Sequence, residues 1–276
     1  MPNIFKRWFG KPQDDTPSRD VTQLASPLAV PAVHVVKTTA PSRSHFGGVP
    51  NLPPGIAWPE RAGERLGFLS RLSLPELHRA HPIDWLPADG ALLFFYDVDG
   101  EPWGFDPKDR GGWAVLHVPD LSEPLSPAGE RPGVPHHNAA FRRVDVLPSF
   151  DRQVVEDLKL SDKESDLYAD LSDAVFDGQP QHQAGGYPSI IQGDDMEQEA
   201  QLASHGVYCG DGRYSTDSRV PSLIPGAANW RLLLQFDSDD DLDLMWGDGG
   251  RLYFWVEADA ARNRRFENTW LILQCH

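Results

Sequence analysis

The sequence reads GALLFFY at residues 90–96 and GRLYFWV at residues 250–256, and this pair of stretches decides the fold. Each is a short run of aromatic and branched apolar residues that begins at a glycine, which is typical of a buried β-strand. A second apolar run follows each stretch and begins at a tryptophan, Trp113 in the first case and Trp270 in the second. The intervals are similar, since Trp113 lies 20 residues after Leu93 and Trp270 lies 18 residues after Leu252.

The parallel between the two regions extends outward from these strands. A further apolar run precedes each pair, at residues 66–72 and 230–236, and GGVP at 47–50 matches GGYP at 185–188. Such repetition predicts an internal duplication, although β-rich sequences can share these patterns through composition alone. We therefore predict an α+β protein, a β-rich mixed fold in which two tandem related halves, at about 45–120 and 182–276, pack into one body with a few short helices between strands.

A helical connector is predicted between the halves, at about 145–181. Ser161 followed by Glu164 forms a capping-box pattern, which satisfies free N–H groups at the start of a helix. Leu167, Leu171 and Val175 then follow at four-residue steps, so the pattern predicts an amphipathic helix from about 162 to 176. A second helix is predicted to be capped by Asp194, to run through Met196, Ala200 and Ala203, and to end near Gly206.

The N-terminal region differs in composition from the rest of the chain. Residues 11–31 are rich in Pro, Asp, Ser and Gln without periodicity, which indicates a mobile segment. The basic and aromatic residues 1–11 lack the apolar core and cleavage site of a signal peptide. We therefore predict a flexible leader at 1–31 and a single domain at 32–276, in which alternation at Val33, Val35 and Thr38 indicates the first strand.

Charge and composition narrow the class of partner. The 276 residues include 41 acidic and 25 Lys or Arg side chains, a formal charge of −16, which repels nucleic acid and favours a basic protein or a cation. No apolar stretch is long enough to span a membrane. The two cysteines, Cys209 and Cys275, are too few for a disulfide framework, so we predict reduced thiols and a cytoplasmic location. The sequence gives no oligomeric state.

The acidic loop, residues 237–248, is the most unusual local feature. Counting from Asp237, carboxylates fall at positions 1, 3, 5 and 7 with Asp248 at position 12, which resembles the ligand spacing of an EF-hand. Leu242 stands where the EF-hand turn requires glycine, and the flanks are strands, so an EF-hand is excluded. Two interpretations of the loop remain. It is a site for calcium or another divalent cation, with candidate ligands Asp237, Asp239, Asp241 and Asp248, or it is a solvated acidic surface that binds a basic protein. No cofactor is predicted.

The WGDGGR segment at 246–251 adds three candidate binding residues, Trp246, Asp248 and Arg251. Clustered glycines allow a ligand to approach the backbone, and a tryptophan offers a stacking surface. The alternative is a turn with a tryptophan in the core. With the acidic loop, the candidate binding residues are Asp237, Asp239, Asp241, Trp246, Asp248 and Arg251, and no catalytic residue is predicted because no catalytic motif occurs.

LLQFDSD at 233–239 and MWGDGGRLYF at 245–254 resemble the YwqG-like family of bacterial domains of unknown function, from about Phe46 to the C-terminus. The resemblance implies a bacterial cytoplasmic protein with a mixed α/β fold and no established activity. Some members are suspected to lie near toxin systems, which implies a protective binding role. The chain departs from the expected pattern at Ser70 and Arg71, where a glutamine would parallel Gln235.

Three functions follow from these observations. The first is a non-enzymatic interaction protein that uses the acidic loop to bind a basic protein or a cation. The second is a metal-dependent hydrolase with its carboxylates near Trp246. The third is a protein with a small-ligand pocket between the halves. In each case the second half is the expected location of the site.

Overall fold

A computed structural model describes residues 19–119 and 134–276. Within those residues there are twelve strands and seven α-helices. The strands are β1 Val30–Lys37, β2 His45–Phe46, β3 Glu60–Arg61, β4 Glu64–Arg65, β5 Gly67–Ser73, β6 Ala91–Tyr96, β7 Trp113–Val118, β8 His137–Val146, β9 Gln183–Ala184, β10 Trp230–Asp237, β11 Arg251–Glu257 and β12 Trp270–Gln274. The helices are α1 Val21–Ala25, α2 Leu74–Ala80, α3 Gln153–Glu156, α4 Asp162–Ala174, α5 Met196–Ser204, α6 Val220–Leu223 and α7 Ala258–Arg262.

Ten strands form one antiparallel sheet with the order β12-β11-β10-β9-β1-β8-β2-β5-β6-β7, and β3 and β4 form a separate small pair. Strands β1 and β8 pair along their length at the centre of the large sheet, from Val30 opposite Val146 to Lys37 opposite Ala139. One group of four strands continues on each side. We call β2, β5, β6 and β7 the first wing, and β9 to β12 the second wing.

The two wings have the same layout. Each begins with a two-residue strand beside the central pair, and each has a bulge in its first long strand, between Phe68 and Ser70 in β5 and between Leu232 and Leu234 in β10. The two wings differ in the register of their last strand pair. In the second wing Trp255 lies opposite Trp270, but its counterpart in the first wing, Phe95, lies opposite Ala114 and not opposite Trp113. The layout is symmetric, while descent of the halves from one duplicated unit stays a prediction.

Buried side chains of both wings belong to one continuous apolar cluster, so the sheet is nearly closed around a shared core. The Phe94 and Phe254 rings meet edge to face at 5.2 Å between centroids, and so do the Trp113 and Trp270 rings at 5.0 Å. Trp113 Nε1 also donates a hydrogen bond of 2.9 Å to the carbonyl oxygen of Thr269. Edge-to-face aromatic packing of this kind adds about 1 kcal/mol to the burial of each pair.

The outer edge of β12 is covered by the loop at residues 103–105. Leu273 N–H donates to the carbonyl oxygen of Trp103 at 2.9 Å, and Trp270 Nε1 donates to that of Gly104 at 2.8 Å. Gly104 has φ of +83°, and a Cβ atom there would overlap the carbonyl oxygen of Leu271. Since an uncovered strand edge can pair with another chain, this loop protects the sheet from aggregation.

The structure differs from the predicted leader in residues 20–31, which contain α1 and the start of β1. Asp20 caps α1 by accepting a hydrogen bond from Gln23 N–H at 3.2 Å, and the side chains of Val21 and Ala25 are buried beside Tyr168 of α4. The sequence does indicate this helix, because Val21, Leu24, Ala25 and Leu28 have helical spacing. The pattern covers so few residues that it is easily missed among the polar residues around it. Residues 1–18 of the predicted leader lie outside the described residues.

The connector helix is present, but its buried residues are Glu164 and Tyr168, whereas Leu167 of the predicted apolar face is exposed. Helix α4 spans Asp162–Ala174, and Ser161 and Glu164 form the predicted capping box. Helix α5 begins one residue later than predicted, because Asp194 binds the guanidinium of Arg152 instead of capping the helix. Across residues 19–119 and 134–276, the helices are all too short or too polar to cross a bilayer.

Candidate functional site

The first part of the acidic loop is turned inward and neutralised by a lysine from the central strand β1. Both carboxylate oxygens of Asp239 accept hydrogen bonds of 2.6 Å from Lys37 Nζ, and Lys37 also pairs with Asp241 at 2.8 Å. The Asp239 side chain is 2% exposed, whereas that of Asp241 is 73% exposed. Burial alone would raise the pKa of Asp239, but the hydrogen bonds from His182 and Lys37 outweigh it and lower the pKa to about 2.

His182 completes this buried cluster and is fixed as a structural group. Its Nδ1 accepts a hydrogen bond from Asp237 N–H at 3.1 Å, so the ring hydrogen resides on Nε2, which donates to Asp239 at 3.2 Å. Both ring nitrogens are therefore engaged. A histidine held in this way has no free nitrogen with which to take a proton from a substrate.

Asp237 pairs with Arg251, another predicted site residue. Arg251 Nε donates to one Asp237 oxygen at 2.9 Å, and the backbone N–H of Gln181 donates to the other at 2.7 Å. The same arginine donates from Nη1 to the carbonyl oxygen of Ser189 at 3.0 Å. Asp237 thus anchors the C-terminal end of β10 to the segment that enters β9.

The structure does not bring the four candidate metal ligands together. Asp237 and Asp239 already bind Arg251 and Lys37, and Asp248 lies at the exposed far end of the loop. No group of three or more His, Cys, Asp or Glu side chains in the described part of the chain is placed to hold a metal ion. A cation at Asp239 would have to displace the Lys37 ammonium, so the donor set does not fit a resident metal.

Trp246 belongs to the core and offers no stacking surface, so the second sequence interpretation of this residue is correct. Its side chain is 2% exposed, and its ring packs edge to face against Tyr96 at 5.5 Å between centroids. Trp246 Nε1 donates to the carbonyl oxygen of Asp237 at 3.2 Å. The tryptophan therefore fastens the acidic loop to the first wing.

A cavity of about 300 Å³ lies beside Arg251, between the helical connector and the second wing. We call it the connector cavity. Its walls come from the end of β8 and the segment after it, from α4, and from the loop at 187–190. The lining residues are Val146, Leu147, Pro148, Ser149, Phe150, Asp151, Tyr168, Ala169, Ser172, Asp173, Phe176, Gln181, Tyr187, Pro188, Ser189, Ile190 and Arg251.

Three buried glutamines hold the wall formed by the loop at 185–193. Gln183 Nε2 donates to the carbonyl oxygens of Gly185 and Tyr187 at 2.7 and 2.8 Å. Gln235 accepts from Ser189 N–H at 2.8 Å and donates to Gln181 O at 2.7 Å. A third glutamine, Gln274, bonds in the same way to the backbone of residues 191–193. Side-chain amides thus replace a strand partner, which makes this wall rigid.

The opposite wall is fixed by aromatic contacts. Tyr168 O–H donates to the carbonyl oxygen of Pro148 at 2.8 Å, and the Tyr168 ring packs against Phe150 at 5.1 Å between centroids. Arg152 stacks over the Tyr187 ring at 4.8 Å, while its guanidinium binds Asp194. Phe150 remains 42% exposed at the mouth, so the cavity opens to solvent beside an apolar ring.

Two polar groups on the cavity wall are not fully paired within residues 19–119 and 134–276. Arg251 bonds to Asp237, to the carbonyl oxygen of Ser189 and to the side chain of Tyr253, which engages three of the five N–H groups of a guanidinium. The Gln181 side-chain amide has no partner within those ranges, and its Oε1 is enclosed. Both groups face a space that is otherwise mostly apolar, which is the usual composition of a small-ligand site.

Three side chains of reactive types, Cys209, His45 and His205, are not assembled into a site. Burial raises the pKa of the Cys209 thiol to about 12, so the thiol is inert as a nucleophile. Burial likewise lowers the pKa of His45 to about 4, and its Nδ1 bonds to the carbonyl oxygen of Gly47. His205 contacts Gln201 and Ser204 on α5.

Comparison with protein families matches residues 44–275 to the domain of unknown function DUF1963. The chain belongs to this family. The match includes both wings, the acidic loop and Arg251. No curated protein is similar enough to match.

In this DUF1963 domain, sequence reasoning found Arg251 but missed the other residues of the connector cavity. The sequence pattern placed the apolar face of the connector helix at Leu167, Leu171 and Val175, so Tyr168 and Phe176 were not recognised, and Gln181 carried no signal. The repeated GGYP segment at 185–188 was the available indication, because two glycines with positive φ next to a proline place a rigid loop against the sheet.

Proposed function

We propose that this protein is a binding protein for a small, largely apolar ligand, which it holds in the connector cavity. The observation that supports this best is a cavity of about 300 Å³ with aromatic walls, an arginine that has unused N–H groups, and a side-chain amide without a partner in the described residues. Ligand sites in proteins are typically concave, mainly apolar and equipped with a few polar groups that orient the ligand. This is the small-ligand alternative among the three functions that the sequence left open.

The rigidity of the walls supports the same proposal. The glutamine contacts on one side and the Tyr168 hydrogen bond on the other hold the cavity open in the absence of a ligand. Binding to a preformed site avoids the entropy cost of ordering loops, so a ligand of modest size can bind with useful affinity.

Filling the cavity tests the proposal. We expect Ala169→Phe, on the α4 wall, to weaken binding of a small aromatic probe such as indole at least about tenfold, because the added ring occupies the binding volume. Ala174→Phe is the matched control, since Ala174 is exposed on the same helix and does not line the cavity. Ligand-observed NMR and thermal shift give the affinities. Equal binding by parent and Ala169→Phe would contradict the proposal.

A second candidate is contact between the exposed part of the acidic loop and a basic protein. Asp240, Asp241, Asp243 and Asp248 all face solvent, and Met245 between them is 56% exposed. Acidic groups around an exposed apolar side chain are suited to a basic surface with an apolar centre.

Charge reversal tests this second candidate. Asp240→Lys with Asp243→Lys is expected to abolish capture of basic partners in pull-downs, and Asp239 is left unchanged because it is buried. Asp166→Lys with Asp170→Lys, at exposed positions of α4, makes the same change in net charge elsewhere. Undiminished capture by the loop variant, or equal losses in both variants, would remove the loop as the contact.

The finer assignments from the sequence remain part of this proposal. We propose that the family resemblance extends to the YwqG-like group, with a bacterial origin, a cytoplasmic location and a protective role, and that the two wings descend from one duplicated unit. The metal-dependent hydrolase is not carried forward, because Asp237 and Asp239 are already paired with Arg251 and Lys37.

A further inference from the structure

We infer that the connector cavity selects ligands that carry a carboxylate, with Arg251 and Gln181 as the groups that recognise it. The inference rests on the proposed function, since it names the chemical class of the ligand that the cavity binds. The proposed ligand is a small apolar or aromatic carboxylic acid. Its apolar part lies between the aromatic walls, and its carboxylate lies against the second wing.

The position of Arg251 carries the first step. Its Nε and Nη1 are fixed by Asp237 and by the carbonyl oxygen of Ser189, so the guanidinium is held in one orientation before a ligand arrives. With its further hydrogen bond to the Tyr253 side chain, Arg251 uses three of its five N–H groups, and the residue lines the cavity. An arginine with a fixed plane and unused N–H groups is suited to an oxygen acid, because charge-assisted hydrogen bonds are about twice as strong as neutral ones.

Gln181 supplies the second donor. Its backbone N–H donates a hydrogen bond to Asp237, and its backbone carbonyl oxygen accepts one from the Gln235 side chain. Its side-chain amide makes no hydrogen bond within residues 19–119 and 134–276. The enclosed position of Oε1 leaves Nε2 as the end of the amide that can serve a ligand. Arg251 and Gln181 therefore both offer N–H donors. A ligand that binds both needs oxygen atoms that accept hydrogen bonds and donate none, as in a carboxylate.

The charges around the site are compatible with an anion. The Asp237 carboxylate is the acid nearest to Arg251, and its two oxygens are occupied by Arg251 Nε and Gln181 N–H. Asp151 and Asp173 also line the cavity, but both are exposed to solvent, where water and salt screen their charges. Arg251, whose side chain is 17% exposed, is thus the most buried charged residue that lines the cavity.

Three probes that share one body and differ in the head group test the inference: 3-phenylpropionate, 3-phenylpropanamide and 3-phenylpropan-1-ol. We expect the unmodified protein to bind the acid at least about tenfold more tightly than the alcohol, with the amide between them, because only the acid forms charge-assisted bonds to Arg251. Isothermal titration calorimetry or ligand-observed NMR gives the three affinities, at low and at high salt.

Two variants separate recognition from folding. Gln181→Met keeps the volume of the side chain and removes no protein hydrogen bond, so we expect unchanged thermal stability and a roughly fivefold loss of the preference for the acid. Arg251→Gln combined with Asp237→Asn removes both charges of the pair together, which avoids a buried unpaired carboxylate. That double variant is expected to bind the acid and the alcohol equally.

The outcomes separate the two proposals. Equal binding of acid, amide and alcohol by the unmodified protein overturns the carboxylate inference and leaves the proposed function standing. A preference for the acid that survives in both variants also overturns it. Failure of all three probes and of indole to bind at millimolar concentration overturns the proposed function, and the inference with it.

Discussion

Replacing Asp239 by alanine is expected to lower the free energy of unfolding by about 3–5 kcal/mol, the usual cost of breaking a buried ion pair from one side. The variant leaves Lys37 Nζ without its buried partner and leaves His182 Nε2 without an acceptor. It also removes the cap on the short helical turn that follows, because Asp239 accepts from Asp241 N–H at 3.0 Å. Urea unfolding followed by tryptophan fluorescence measures the change.

Asp241→Ala is the matched control for this prediction. Asp241 contacts the same Lys37 ammonium but is mostly exposed, so its loss should cost less than about 1 kcal/mol. Similar losses for the two variants would show that burial does not determine the strength of the cluster. Because the folded pKa of Asp239, about 2, lies below the unfolded value of about 4, its stabilisation is present above pH 4 and disappears as the pH falls through 2. The difference between parent and variant should shrink in that range.

Gly104→Ala is expected to lower the free energy of unfolding by about 3 kcal/mol or more and to promote aggregation. The backbone at Gly104 has φ of +83°, which costs a residue with a Cβ atom about 1–2 kcal/mol. The new methyl group would also overlap the carbonyl oxygen of Leu271, so the loop must move away from β12. Its hydrogen bonds to Leu273 and Trp270 would then be lost and the strand edge uncovered.

Gly111→Ala separates the two contributions. Gly111 has a similar φ of +93°, but a Cβ atom there meets no other atom within 4 Å. This variant should show only the backbone cost of about 1–2 kcal/mol and should remain monodisperse. Thermal unfolding with light scattering measures both quantities. If the two alanine variants are equally stable and equally soluble, the loop at 103–105 does not protect the edge.

Local pattern was sufficient for most of the strands and for α4. The stretches at 90–96 and 250–256 carry their own burial signal, and Ser161 with Glu164 determines where α4 begins. Strand β8, His137–Val146, was missed because Arg142, Arg143 and Asp145 interrupt its apolar residues. Its polar character reflects its contacts, since Arg142 binds His34 and Asp177.

The candidate site was harder to predict because its partners are distant in the sequence. The acidic loop reads as an uncompensated charge, yet Lys37, 202 residues before Asp239, neutralises it. Arg251 was identified through neighbouring glycines, whereas its place on the cavity wall depends on its hydrogen bond to Ser189, 62 residues away along the chain. Spacing along the chain reports neither contact.

The position of β1 in the sheet has a consequence for synthesis. Strands β5 to β7 and β10 to β12 pair with their neighbours in sequence and can form as soon as each wing has left the ribosome. Strand β1 emerges before either wing, yet its partners β8 and β9 are made much later. Loop-closure entropy delays such distant pairing, so the nascent chain carries an unpaired apolar strand at least until β8, His137–Val146, has been translated.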